Sequence, residues 1–148
     1  MRVATQLAVF LENRPGTLAT MCVALGEHGI NLLAISCSDT VDHAVVRILV
    51  DDSREAAHVL GNAGMLVVEN DVLVMEVPNE PGALGDVARR CSENDVNIEY
   101  AYCTVMEDQP AGALVLRTEN PQRAPVLLAP AAAPARPAGE DGAPATTP

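Results

Sequence analysis

Asn13-Arg14-Pro15-Gly16-Thr17-Leu18 returns as Asn79-Glu80-Pro81-Gly82-Ala83-Leu84, a shift of 66 positions (79 minus 13). The same shift brings Asn31 onto Asn97 and Cys37 onto Cys103. It also lays Leu18, Met21, Cys22 and Leu25 over Leu84, Val87, Ala88 and Cys91. A repeat of this period is itself a small domain, so the chain reads as a duplicated unit.

Outward from the first copy, residues 5–13 read as a strand, with Leu7, Val9 and Leu11 on one face. Pro15-Gly16 turns the chain, and Thr17 is expected to cap a helix running from Leu18 to His28. Gly29 ends that helix in a left-handed conformation. Residues 31–38 form a second strand, 39–42 a turn and 44–50 a β-branched third strand. Ser53 is expected to cap a second helix over 54–63, with Gly64 beyond it and a fourth strand at 65–69. The order βαββαβ implies a ferredoxin-like α+β sandwich, four antiparallel strands with two helices on one face.

The second copy supplies a strand at 72–77, a helix at 83–94 and a strand at 97–105. Its hairpin, 106–109, is longer than its counterpart. Beyond it the copies align at a shift of 68, Asp52 on Asn120 and Leu60 on Leu128. Asn120-Pro121 can start a helix, but Pro125 and Pro130 interrupt it and no fourth strand follows. Residues 129–148 are rich in Pro and Ala without apolar periodicity, a disordered tail. The chain thus divides into units at 1–70 and 71–128 and a tail at 129–148, the second unit lacking a clear last strand. That leaves its first strand with an open edge, which proteins cover. The expectation is that 65–69 hairpins onto 72–77 through Asn70-Asp71 and covers it.

Composition narrows the function. Two units of this size have thin cores and lean on each other or on a partner. Nearly half the residues are hydrophobic (49%) but only 2% are aromatic, so small aliphatics build the core. The net charge is −11 and the chain has no lysine, which excludes Schiff-base and P-loop lysine chemistry. An acidic chain with so few aromatic platforms is a poor nucleic-acid binder. No stretch reads as a signal peptide or a membrane span. Cys22, Cys37, Cys91 and Cys103 form no C-x-x-C and sit in apolar elements, as expected of buried free thiols in a reducing cytoplasm.

The strand–loop–helix junction is where a ligand would be held. A helix start presents unpaired N–H groups and the positive end of the helix dipole, which together attract a carboxylate. Gly16 and Gly82 let backbone approach a ligand closely. Asn13 and Asn79 carry both donors and an acceptor. An α-amino acid needs that combination. A Pro-Gly preceded by Asn is also an ordinary turn, and Asn31 and Asn97 can equally serve a helix–strand connection.

The stretches Phe10-Leu11-Glu12-Asn13-Arg14-Pro15-Gly16-Thr17-Leu18 with Gly29-Ile30-Asn31-Leu32, and Val77-Pro78-Asn79-Glu80-Pro81-Gly82-Ala83-Leu84 with Val96-Asn97-Ile98, resemble two ACT domains, over residues 5–128. The resemblance implies two ACT-like βαββαβ modules that bind an amino acid where modules meet and regulate enzymes of amino-acid metabolism. It implies ligand contacts at Asn13, Arg14, Pro15, Gly16, Thr17 and Leu18, and at Asn79, Glu80, Pro81, Gly82, Ala83 and Leu84. Asn31 and Asn97 join them as residues expected at the start of the strand beside each loop.

No catalytic constellation, metal site or cofactor motif accompanies this pattern. His28, His43 and His58 are spread over separate elements, and no serine has a G-x-S-x-G context. Tyr100 and Tyr102 alternate on one strand, and Arg89-Arg90 reads as a solvated helix face. A copper chaperone would need C-x-x-C, and an RNA-recognition module would need aromatic residues on its sheet. A duplicated phosphate cradle would need a partner for Arg14, where position 80 is Glu. The expected function is a non-catalytic amino-acid sensor. The alternatives are a ligand-free adaptor for a partner enzyme and a small ferredoxin-like enzyme. Leu33, Ile35 and Cys37, placed on the sheet face opposite the helices, give the expectation of a two-fold homodimer.

Overall fold

A computed structural model describes residues 1–39, 43–104 and 106–128; the expected tail at 129–148 and most of the expected turn at 39–42 lie outside them. The elements run β1 (Arg2–Glu12), α1 (Thr17–Glu27), β2 (Leu32–Asp39), β3 (His43–Val50), α2 (Ser53–Asn62), β4 (Leu66–Pro78), α3 (Ala83–Glu93), β5 (Ile98–Thr104), β6 (Ala111–Thr118) and α4 (Ala124–Leu127). The strands form one antiparallel sheet in the order β2-β3-β1-β4-β6-β5. The fold is α+β, with two ferredoxin-like units joined edge to edge.

The expected hairpin at Asn70-Asp71 does not exist. Residues 66–78 are a single strand, so the expected border at 70/71 falls inside β4. β1 covers the open edge instead. Its residues Gln6 to Phe10 pair with Asn70 back to Leu66, and its first residues Arg2, Val3 and Ala4 pair with Val74, Leu73 and Val72. One strand therefore stands beside the fourth strand of the first unit and also takes the place of the missing fourth strand of the second. A long shared strand pair satisfies both ladders without a turn that would leave buried N–H groups unpaired.

The helices cover one face. Leu7, Val9, Leu11, Val46 and Ile48 meet Met21 and Leu25 of α1 and Ala56, Val59 and Leu60 of α2. Leu73, Met75, Leu114 and Leu116 meet Cys91 of α3, with Ala124 and Leu128 closing a smaller second core. These are the alternate-residue and helical-stripe positions that put apolar groups on one side.

The opposite face is closed by the chain itself. Arg47 of β3 lies 4.4 Å from the ring centroid of Tyr100 on β5, although β1, β4 and β6 lie between those strands. In a flat sheet their backbones would be about 19 Å apart, so the sheet curls and its flanks meet over the middle. Beneath them Gln6 is fully buried, with its Nε2 donating to the Tyr100 hydroxyl (2.7 Å) and its Oε1 accepting from the Tyr102 hydroxyl (3.0 Å). The expectation of a bare apolar face with Leu33, Ile35 and Cys37 on it fails. Ile35 and Cys37 pair with Ile48 and Val46, which places them on the helix side at the edge strand, and Leu33 falls at a bulge.

Two caps also differ. The side chain of Asp52, not Ser53, caps α2 by accepting from the Glu55 N–H (3.0 Å). Asn120-Pro121 begins a turn, and only the short α4 follows. Gly29 does take the left-handed conformation, at φ 70°. All four cysteines are free, but only Cys91 is buried; Cys22, Cys37 and Cys103 are exposed, because they occupy outer helix positions and edge strands.

Candidate functional site

Each repeat loop joins the end of a long strand to a helix that starts on a glycine. Gly16 (φ 92°) and Gly82 (φ 93°) occupy the N-cap positions in left-handed conformation, and neither helix has a side-chain cap. A Cβ at either glycine would meet no protein atom within 4 Å, so the backbone angle rather than crowding calls for glycine. The first α1 ladder bond runs from the Thr20 N–H to the Gly16 carbonyl, and the first α3 bond from Asp86 to Gly82. The N–H groups of Leu18 and Ala19, and of Leu84 and Gly85, have no acceptor among the described residues. Such groups at a helix start are ready to receive an anion.

The two loops are braced differently. Thr17 does not cap α1; its hydroxyl donates back to the carbonyls of Glu12 (2.9 Å) and Arg14 (3.1 Å), and so tightens the loop. Position 83 is Ala, and there Asn79 does the bracing. Its Nδ2 donates to the Gln109 carbonyl (2.9 Å) and the Met106 carbonyl (3.2 Å), and its own N–H to Pro110 (2.9 Å). That fixes the 106–110 hairpin over the loop and leaves Oδ1 of Asn79 without a donor among the described residues. Arg14 pairs with Glu12 in solvent, an interaction worth little on its own.

A cavity adjoins each loop. The first, about 490 Å³, is walled by Arg14, Thr17, Thr20 and His43 with Phe10 and Leu66. The second, about 110 Å³, lies between Asn79, Glu80, Ala83 and Leu84 on one side and Val77, Cys103 and Leu114 on the other. The first carries the Arg14 guanidinium together with the Glu12 carboxylate it pairs with, and the second carries the Glu80 carboxylate.

Asn31 and Asn97 are not beside these loops. Each follows its helix, at the far end from the Pro-Gly turn; α3 is 11 residues, about 16 Å, long. The Asn31 N–H donates to Oδ1 of Asp51 (2.9 Å), a connection between strand ends. Asn97 lines a separate cavity of about 320 Å³ with Thr118, Glu119 and Arg123. The sequence reading passed over Thr118, though the 68-position shift lays it over Val50 of the first unit, a polar residue at a core position.

Tyr100 and Tyr102 line neither loop cavity. Burial, with Tyr100 beside it, pushes the Tyr102 phenol up to about 12, against the pull of Arg47. Among the described residues no three His, Cys, Asp or Glu side chains converge as metal ligands, and no helix is long and apolar enough to cross a membrane.

Comparison with known proteins agrees with this geometry. Residues 1–130 match the family model described as an ACT domain pair. The chain therefore belongs to the ACT-domain-pair family. Its fold is similar to the crystal structure of protein BT0572 from Bacteroides thetaiotaomicron, with TM-score 0.80, 32% identity, and 85% of this chain and 86% of that one covered. It also resembles the ligand-free regulatory subunit of aspartate kinase from Thermus thermophilus, with TM-score 0.65, 18% identity and coverage of 85% and 93%. The corresponding subunit from Thermus flavus gives TM-score 0.59 at 17% identity, covering 86% and 95%. No curated protein matches the sequence.

Proposed function

We propose that this chain is a non-catalytic amino-acid sensor that regulates an enzyme of amino-acid metabolism. The ligand carboxylate sits on the open N–H groups at the start of α1 or α3. Asn13, Arg14, Pro15, Gly16, Thr17 and Leu18 form the first site, and Asn79, Glu80, Pro81, Gly82, Ala83 and Leu84 the second. The observation that carries this reading is the repeated, glycine-led helix start without a side-chain cap, each beside its own cavity. In the second loop the open Oδ1 of Asn79 is an acceptor for an ammonium group.

Three further parts of the proposal have separate support. The regulatory subunits of aspartate kinase that share this fold motivate the choice of partner class. Exposed Leu18, Val23, Leu33 and Ile35 on α1 and edge strand β2 support a homodimer. Four free thiols accord with a reducing cytoplasm.

Calorimetric titration of the full chain with the twenty amino acids tests the reading. At least one should bind with a Kd of roughly micromolar to millimolar, and Asn13→Ala or Asn79→Ala should weaken it. Silence across the panel overturns the sensor and leaves the ligand-free adaptor. Light scattering at the 15.5 kDa monomer mass, without ligand, would overturn the homodimer.

A further inference from the structure

The two units differ most where the third strand of each unit ends. In the first, the junction is closed: Oδ1 of Asp51 accepts from the N–H groups of Asn31 (2.9 Å) and Asp52 (3.0 Å), and the Asp51 N–H donates to the Asn31 carbonyl (3.2 Å). In the second, the counterparts are Glu119 and Asn97, and neither side chain has a hydrogen bond among the described residues. A cavity of about 320 Å³ opens between them instead, within the range of small-molecule sites.

Its wall holds a polar group the fold does not explain. Thr118 is 1% exposed and lines the cavity, and its hydroxyl has no hydrogen-bond partner. The first unit has Val50 there, so the hydroxyl is not needed for packing. An unpaired buried hydroxyl is costly and is relieved by a ligand that supplies a partner. The same wall carries the carboxylates of Asp95 and Glu119 and the guanidinium of Arg123.

We infer that this cavity is a second small-molecule site, distinct from the Pro-Gly loops, for a compact diamino acid. Arg123 takes the α-carboxylate. The two carboxylates, Asp95 and Glu119, take the α-ammonium and the second amine, which leaves the wall neutralised. Thr118 supplies a hydroxyl at the bottom. The site lies at the opposite end of α3 from the second loop and stands without any ligand at either loop.

The test uses the full chain and amide chemical-shift mapping, with L-ornithine as probe and L-glutamate as charge-reversed control. Ornithine should shift the amides of Asn94, Asp95, Asn97 and Glu119, with glutamate much weaker there. Thr118→Val and Glu119→Gln should each lower ornithine affinity about tenfold. Ser53→Ala, outside both sites, should leave it unchanged. Absence of shifts at these amides overturns the inference, as does equal binding of glutamate or indifference to Thr118→Val and Glu119→Gln. Shifts confined to Leu84 and Gly85 would support the loop site and overturn this one.

Discussion

Gln6→Leu removes the polar link that ties β1 to β5 across the helix-free face. Gln6 is fully buried and makes two side-chain bonds, to Tyr100 (2.7 Å) and from Tyr102 (3.0 Å). Leucine has nearly the same volume, so little cavity opens. Two hydrogen bonds at a net of about 1 kcal/mol each give a loss of about 2 kcal/mol. Stranding the two hydroxyls adds little, because both rings are only half-buried and water can reach them. In a chain of this size that corresponds to a fall in Tm of roughly 6–10 °C. Urea unfolding should be compared for Gln6→Leu, for Tyr100→Phe with Tyr102→Phe, and for all three together. With every partner made apolar, nothing is left unpaired. The triple variant loses the same two bonds only once, so its loss should fall short of the sum of its parts by about 2 kcal/mol or more. A Gln6→Leu protein as stable as the parent, or strict additivity, would refute the closed face.

Four other outcomes are expected. Gly16→Ala and Gly82→Ala should each cost about 1–2 kcal/mol through the left-handed backbone alone, with Asn tolerated better than Ala; urea melts in which Ala is neutral at both positions would contradict the loop geometry. Asp52→Ala should cost about 1 kcal/mol by uncapping α2, while Ser53→Ala stays within about 0.5 kcal/mol, and equal effects in thermal melts would reverse the cap assignment. Because Tyr102 holds its proton more tightly folded than unfolded, its contribution is complete below the ordinary phenol value of 10.0 and is lost as pH rises towards about 12; Tyr102→Phe should flatten the stability profile in that window, and an unchanged profile counts against it. Deleting residues 1–4 should uncover Val72 and Leu73, lower stability and promote further association through the bared strand edge, which light scattering and melting would detect; a mass and melting temperature unchanged from the parent would show that β1 does not complete the second unit.

The repeat, the βαββαβ order, the first-unit elements and the ACT family were legible in the chain by itself. The elements rest on short-range signals: alternating Leu7, Val9 and Leu11, the Asn-x-Pro-Gly turn, and Gly29 at a helix end. These depend on residues a few positions apart, and the chemistry of a turn or a helix start is local; the repeat shows because that local pattern returns 66 positions on. Tertiary structure alone decided the rest. Arg2, Val3 and Ala4 complete a unit that begins some seventy residues later, because a strand edge accepts whichever segment reaches it, and sequence order does not say which. Curling of the sheet brought Arg47 to Tyr100 and buried Gln6, which closed a face the sequence left bare. Asn31 and Asn97 stand away from the loops because a helix separates its two ends by its own length, a separation already contained in the helix expected from Leu18 to His28. Strand pairing between distant segments and the twist that accumulates across six strands depend on the whole sheet, so no window of sequence contains them.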